Sequence, residues 1–325
     1  MALTEDFDPQ NKYFASVSKE MHQSGVLYRV ASTLQRAKTY SNIARMPETH
    51  EIRPGQSIEL LKELHILTRD GRMNQDSRRK LKQVYHLCQF IQPLIEAVRE
   101  SHPDVHLVDH GAGKSYLGFI LYDLYFKTFD AGAHIYGVEA RDELVGKSRD
   151  LAQRLGFPGM SFLNLSVAQS INASELPERI DIVTALHACD TATDDAIRFA
   201  LEHKAQFIVL APCCQAEVAG VLRKHKGQAL AGKGAGAALT ELWRHPLHTR
   251  EFGSQVTNVL RCLQLEAHGY QVTVTELVGW EHSMKNELII ATQKNLPRER
   301  PSRRLHEMLA TLGLEEMDNR FFTSP

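Results

Sequence analysis

The residues best equipped for chemistry in this chain sit where apolar runs end. The run Ile180 to Ala185 leads into Leu186-His187-Ala188-Cys189-Asp190, and Phe207 to Leu210 leads into Ala211-Pro212-Cys213-Cys214-Gln215. A histidine or an aspartate at such a place can orient a nucleophile or accept its proton, which makes His187 and Asp190 candidates for that work. A thiolate at Cys213 or Cys214 can instead attack the substrate and form a covalent intermediate. A metal on His187, Cys189, Cys213 and Cys214 is a third reading. Cys213 and Cys214 are adjacent, however, whereas structural zinc takes cysteines two residues apart, so no metal is expected. The plainest alternative is that these are small buried residues packing tight loops. Further on, Gly279-Trp280-Glu281-His282-Ser283-Met284-Lys285-Asn286-Glu287 adds Lys285 to the catalytic candidates, in a stretch that lines a substrate pocket or forms an exposed polar turn.

A different chemistry is written in Val108-Asp109-His110-Gly111-Ala112-Gly113-Lys114-Ser115-Tyr116. Glycines after a buried strand let backbone approach a ligand closely, and a following helix offers its N-terminal N–H groups. Three ligand classes use such turns. A P-loop needs G-x-x-x-x-G-K-[ST]; Gly113-Lys114-Ser115 supplies the end, but Val108 stands where the first glycine must be. A dinucleotide turn needs G-x-G-x-x-G, and its third glycine falls on Tyr116, too bulky for close helix–strand packing. An S-adenosylmethionine (SAM) turn wants an acidic residue before the glycines, which Asp109 supplies for the ligand's ammonium group. It also wants an acidic residue at the end of the next strand for the ribose hydroxyls, which Glu139 supplies. The cofactor set expected on this reading is Asp109, His110, Gly111, Ala112, Gly113, Ser115, Tyr116, Glu139, Ala140, Arg141, Leu186 and His187.

The elements that must position these residues follow from hydrophobic period. Short apolar runs predict strands at Val105 to Val108, Ala133 to Val138, Ser161 to Leu165, Ile180 to Ala185, Phe207 to Leu210, Tyr270 to Leu277 and Glu287 to Thr292. Helical spacing predicts helices over Tyr116 to Phe129, Glu143 to Leu155 and Thr193 to His203. Alternation of strand and helix means a mainly parallel sheet, and in such a sheet ligands gather at the strands' carboxyl ends. The last two strands, with no helix between them, form a hairpin. The fold class is therefore α/β, a Rossmann-like, seven-stranded, mainly parallel sheet with an N-terminal helical region. Residues 1–100 are expected to be mainly helical, with Ser57 to Leu67 and Asp76 to Glu100 as helices after N-cap types such as Asn74. Residues 101–295 form the sheet domain. Residues 296–325 are a basic tail with a short helix at Leu305 to Leu312. Gly227 to Ala238 reads as a Gly/Ala-rich loop.

Composition narrows the function classes. With 325 residues, 43% hydrophobic and 24% charged, the chain can bury a large core. A formal net charge of −1 means any nucleic acid must be held by a local patch rather than by overall charge. Two such patches are available: Arg69, Arg72, Arg78, Arg79, Lys80 and Lys82 in one stretch, and Arg223 with Lys224 in another. Five cysteines in a chain this long argue against a disulfide framework. The start of the chain shows no basic-then-apolar leader and the apolar runs are too short to span a bilayer, so a cytoplasmic protein is expected.

Taken together, Asp109-x-Gly111-x-Gly113-Lys114-Ser115-Tyr116-Leu117, Thr184-Ala185-Leu186-His187-Ala188-Cys189-Asp190-Thr191-Ala192-Thr193-Asp194, Pro212-Cys213-Cys214-Gln215 and Glu281-His282-x-x-Lys285-Asn286 resemble one class I SAM-dependent methyltransferase-domain family. Asp70-Gly71-Arg72 leading to Arg78-Arg79-Lys80-x-Lys82-Gln83 resembles its lead-in helix. That family includes enzymes that methylate a tRNA acceptor-stem ribose at the 2′-oxygen, other methyltransferase-like proteins and the glutathione-transferase-C-terminal-domain-containing protein. The resemblance spans roughly residues 68–294. It implies SAM binding around Asp109, Gly111, Gly113 and Glu139, and an active site near His187, Asp190 and Cys213–Cys214. The acceptor it favours is RNA, reached through the basic patches. A protein or small-molecule acceptor, or a non-catalytic RNA-binding role for the same fold, stays open.

Overall fold

Each apolar run that predicts a strand forms one, within two residues of the expected bounds. A computed structural model describes residues 52–129, 132–186, 188–212, 215–224, 244–277 and 287–323. The strands are β1 (His106–His110), β2 (His134–Glu139), β3 (Met160–Asn164), β4 (Ile182–Ala185), β5 (Phe207–Leu210), β6 (Tyr270–Glu276) and β7 (Glu287–Gln293). They make one seven-stranded sheet in the order β3-β2-β1-β4-β5-β7-β6. β1 to β5 are mutually parallel; β7 is antiparallel to both β5 and β6, so β6 and β7 are the expected hairpin. Order reverses beside β1, which runs between β2 and β4, and that is where an open α/β sheet leaves a crevice at its carboxyl edge. The four residues of β4 and of β5 are all buried, as expected for strands covered on both faces.

Helices cover the two faces. On one lie α1 (Ile58–Glu63), α2 (Gln75–Arg99), α3 (Tyr116–Leu124) and α4 (Asp142–Leu155), sharing a core with Leu107, Ile135, Phe162, Ile182 and Phe207. α2 starts where its sequence says it should: the Asn74 side chain accepts from the Ser77 N–H at 2.8 Å. The second face carries α5 (Val167–Ser170) and α6 (Thr191–Glu202), packed on Val108, Val183, Ile208 and Ile289. The helix expected at Tyr116 to Phe129 stops at Leu124, and Phe126–Thr128 forms a 3-10 turn.

Three further helices complete the second side: α7 (Glu217–Lys224), α8 (Pro246–Ala267) and α9 (Glu299–Leu312). Sequence reasoning assigned neither α7 nor α8. α8 begins with proline at its first turn, a position that needs no N–H, and crosses α7 so closely that a Cβ on Gly253 would lie 2.8 Å from the Ala219 backbone. α9 is not a loose tail. Its Leu305 and Leu309, with Leu314, Met317 and Phe321 beyond it, share a core with Val218, Leu222, Val256 and Leu260 of α7 and α8. Residues 52–325 form one compact unit, so α1, α2 and the C-terminal segment belong to the same body as the sheet. Among the described residues no helix is long and apolar enough to cross a membrane.

Candidate functional site

The glycine turn is built from alternating left-handed residues. β1 runs through Asp109 and His110, two residues beyond its expected end, and the chain then turns at Gly111 (φ +64°), Gly113 (φ +59°) and Ser115 (φ +51°). A Cβ at Gly111 would lie 3.0 Å from the Ala188 nitrogen, so glycine is required there both by backbone angle and by the approach of the chain after β4. At Gly113 the space is open: the nearest atoms to an added Cβ are the Arg141 guanidinium at 3.8 Å and the Gly111 carbonyl at 3.9 Å.

Glu139, the last residue of β2, lies against this turn. Its carboxylate accepts from the Gly113 N–H at 2.8 Å and from the backbone and side chain of Arg141 at 3.0 and 2.8 Å. Burial by itself would push this carboxyl up. The hydrogen bonds from Arg141, then that from Gly113, outweigh burial and hold it below the usual glutamate range. Glu139 is thus an anion at neutral pH, fixed at the edge of the turn. The Asn164 amide, at the end of β3, donates to the Ala140 carbonyl at 3.0 Å and steadies the same corner.

Asp109 and His110 point to opposite faces of β1, as strand alternation demands. Asp109 is 3% exposed, and its Oδ1 accepts from the Thr184 hydroxyl of β4 at 2.6 Å. Burial pushes its carboxyl up to about 7, with the Thr184 bond opposing. The His110 imidazole lies in the core of the second face, 4.5 Å from the Phe199 ring, with Nε2 3.0 Å from Ser170 Oγ. Because the Ser170 hydroxyl donates to the Val167 carbonyl at 2.7 Å, it is Nε2 of His110 that donates to Ser170. Burial, then the neighbouring His203, pushes His110 down to about 3, so it is neutral. Its side chain packs the sheet against α5 and α6, while its backbone leads into the turn.

On the acceptor side, Leu186 and Ala188 are buried and Cys189 is exposed. Asp190 caps α6 in an unusual backbone conformation, φ +52° and ψ −122°. Its Oδ1 accepts from the Ala216 N–H at 3.0 Å, so it joins the chain after β4 to the chain after β5. His187, Cys213, Cys214 and Lys285 lie outside the described residues, as do Trp280 and Gly227 to Ala238. Among the described residues no group of three or more His, Cys, Asp or Glu is arranged to hold a metal. Two contributors were not singled out from the sequence: Thr184, whose hydroxyl meets Asp109, and Arg261 of α8, which donates to the Asp190 carbonyl at 2.9 Å. No local sequence pattern marks the second, because its burial depends on partners far away in the chain.

The basic residues do not form one surface. Arg72, Arg78, Arg79 and Lys80 are exposed and Lys82 half-buried at the start of α2 on the first face. Arg223 and Lys224 end α7 on the second, where Lys224 is 3.7 Å from Glu316. His86, midway along α2, donates a hydrogen bond to the backbone carbonyl of Glu276, the carboxyl end of β6. β6 is parallel to β5, so Glu276 lies at the same edge of the sheet as the glycine turn.

Residues 79–221 match the family model described as a methyltransferase domain. No curated protein matches. Among solved structures, the chain is similar to magnesium protoporphyrin IX methyltransferase from Synechocystis PCC 6803 with bound S-adenosylhomocysteine (SAH), at 16% identity over 73% of this chain and 93% of that one, with a TM-score of 0.37. It is also similar to an rRNA methylase from Streptococcus thermophilus, at 10% identity over 60% and 89% with a TM-score of 0.34. Fibrillarin from Aeropyrum pernix in complex with SAM matches at 11% identity over 58% and 68%, with a TM-score of 0.37. The sheet order is that of a Rossmann-like, mainly parallel α/β fold, the matched domain is a methyltransferase domain, and SAM is the cofactor expected from the sequence. The residues present fit it: a turn with open space above Gly113, an anionic Glu139 at its edge, and a buried Asp109 carboxyl with no cation beside it among the described residues.

Proposed function

We propose that this chain is a SAM-dependent methyltransferase whose acceptor is RNA. The observation that carries the first half is the joining of the Gly111–Gly113 turn to the Glu139 carboxylate at the point where strand order reverses. Glu139 receives the cofactor's ribose hydroxyls, Asp109 its ammonium group, and the turn its backbone-facing edge. Bound SAM supplies a methyl group on a positively charged sulfur, open to in-line attack. The protein's part is then to hold an acceptor atom in line and take its proton, and positioning can supply much of the rate. Asp190 has the place for that work. One carboxylate oxygen is pinned by the Ala216 N–H, which leaves the other to orient or deprotonate an acceptor hydroxyl. His187, Cys213, Cys214 and Lys285 flank it in sequence or belong to the adjoining hairpin.

RNA is favoured by the cluster of exposed basic residues at the start of α2. Arg78, Arg79 and Lys80 are exposed in its first turns, and contacts of that kind bind phosphate without reading sequence. The test is direct. SAH should bind by calorimetry, and labelled methyl from SAM should enter an RNA fraction rather than protein or small molecules. Failure of SAH to bind overturns the methyltransferase reading. Label in protein alone overturns the RNA acceptor and leaves the rest standing. Replacing Arg78, Arg79 and Lys80 together with Gln should weaken RNA binding and flatten its dependence on salt.

A further inference from the structure

Behind the acceptor-side loops lies a buried polar network that meets the proposed chemistry only at Asp190. Arg261 of α8 is 0% exposed, a basic side chain wholly inside the fold. Its Nε and one terminal nitrogen meet the two carboxylate oxygens of Asp194, in the first turn of α6, at 2.6 and 3.0 Å. The same terminal nitrogen donates to the Asp190 carbonyl at 2.9 Å, and the other to Asn258 Oδ1 at 3.3 Å. Asn258 spreads the link further. Its Oδ1 also accepts from Gln215 Nε2 at 2.8 Å, and its Nδ2 donates to Glu287 Oε2 at 2.6 Å. Gln215 in turn accepts from the Ser254 hydroxyl at 2.8 Å. Asp190 and Asp194 follow β4, Gln215 follows β5, and Glu287 opens β7.

We infer that Arg261 and Asn258 are positioning residues that lock the carboxyl ends of β4 and β5 and the start of β7 into one fixed acceptor-side platform, with Asp190 as the group they place. Two observations separate this from ordinary core packing. A buried ion pair adds little stability over well-packed apolar side chains, so its worth lies in geometry. And Asp190 is held at φ +52°, a conformation a non-glycine residue keeps only where its surroundings over-determine it. Here they do: Arg261 holds its carbonyl, its own carboxylate holds Ala216, and the Thr193 hydroxyl donates to the Ala188 carbonyl just before it. Among the described residues the donor side has no hydrogen bond into this network, since Glu139, Gly113 and Arg141 bond among themselves. The hydrogen bonds that hold Glu139 are therefore distinct from those that hold Asp190, though Gly111 packs against Ala188.

This inference rests on the methyl-transfer reading for its catalytic consequence, so the test carries readouts that do not need turnover. In the full-length protein, Arg261→Lys keeps the charge beside Asp194. A single ammonium, though, cannot reach both Asp194 oxygens, Asn258 and the Asp190 carbonyl. Amide hydrogen exchange should speed up about tenfold over residues 188–192 and at Ala216, as expected for loss of a charge-assisted hydrogen bond. Exchange at Gly113 and affinity for SAH should not change. Methyl transfer should lose about 100-fold in kcat with the donor KM unaltered. Asn258→Asp keeps the acceptor for Arg261 and Gln215 but repels Glu287, and it should speed exchange at residues 287–288. The pair Asn258→Asp/Glu287→Gln reverses donor and acceptor across that contact and should restore both exchange and kcat. Unchanged exchange at 188–192 in Arg261→Lys, a parallel fall in SAH affinity, or a double variant no better than the single would each overturn the inference. If wild type transfers no methyl group at all, the methyl-transfer reading fails, while the exchange and rescue results still decide the platform.

Discussion

Replacing Asp109 with asparagine should make the free protein more stable and the donor complex weaker, and both effects should depend on pH in a set direction. Asp109 is 3% exposed, and its acid group is pushed up to about 7 from 3.8. A raised folded-state value means the folded protein holds a proton that the unfolded chain gives up. Stability from this group is thus fully present below about 3.8 and is lost as pH rises through about 7. The difference of about 3 units is worth ~4 kcal/mol at 1.36 kcal/mol per unit. Asn is isosteric and can still accept from the Thr184 hydroxyl. The stability gained by Asp109→Asn should therefore be close to zero at pH 4, grow by ~1.4 kcal/mol per pH unit, and level off above pH 7 at about 2–4 kcal/mol. Urea unfolding at a series of pH values, with SAH absent, measures it. With SAH present the sign reverses, because a ligand ammonium at that carboxylate needs its charge. Affinity should drop about 10- to 100-fold, the worth of a charge-assisted hydrogen bond. Wild-type SAH affinity should itself rise as pH passes through 7. A variant equally destabilised at pH 5 and pH 8, or one that binds SAH as well as wild type, would refute the reasoning.

Other expectations follow from the same geometry. Glu139→Gln removes the anion from the glycine turn; SAH affinity should fall at least tenfold by calorimetry while the melting temperature moves little. Gly111→Ala adds a Cβ 3.0 Å from the Ala188 nitrogen at φ +64°, and should cost about 1–3 kcal/mol in denaturant unfolding. Gly156→Ala, at φ +65° with nothing nearby, should cost only about 1 kcal/mol. Leu305→Ala should lose about 2–5 kcal/mol, because α9 is part of the core; a negligible loss would mean that the C-terminal segment is a tail after all.

Much of this molecule is a local matter, and local matters are legible in sequence. Buried parallel strands are short apolar runs, and β1 to β5 follow from Leu107-Val108, Ile135, Phe162, Ile182-Val183 and Phe207-Ile208 because each must shed water on both faces. The turn at Gly111 and Gly113 follows because only glycine takes positive φ without strain, and Glu139 follows as the acid at the next strand's end. Even the β6–β7 hairpin is implied by the lack of a helix between two apolar runs. Tertiary structure decided what lies between distant parts of the chain. Thr184 meets Asp109 because β4 pairs with β1, and that contact with burial moves Asp109 toward neutrality. His110 stands beside Asp109 in sequence but in the opposite layer, because a strand turns alternate side chains to opposite faces. Arg261 reads as an ordinary surface arginine until α8 brings it onto Asp194 and the Asp190 carbonyl. A charge can be buried only where a partner far away in the chain arrives to meet it, and no local pattern announces that arrival.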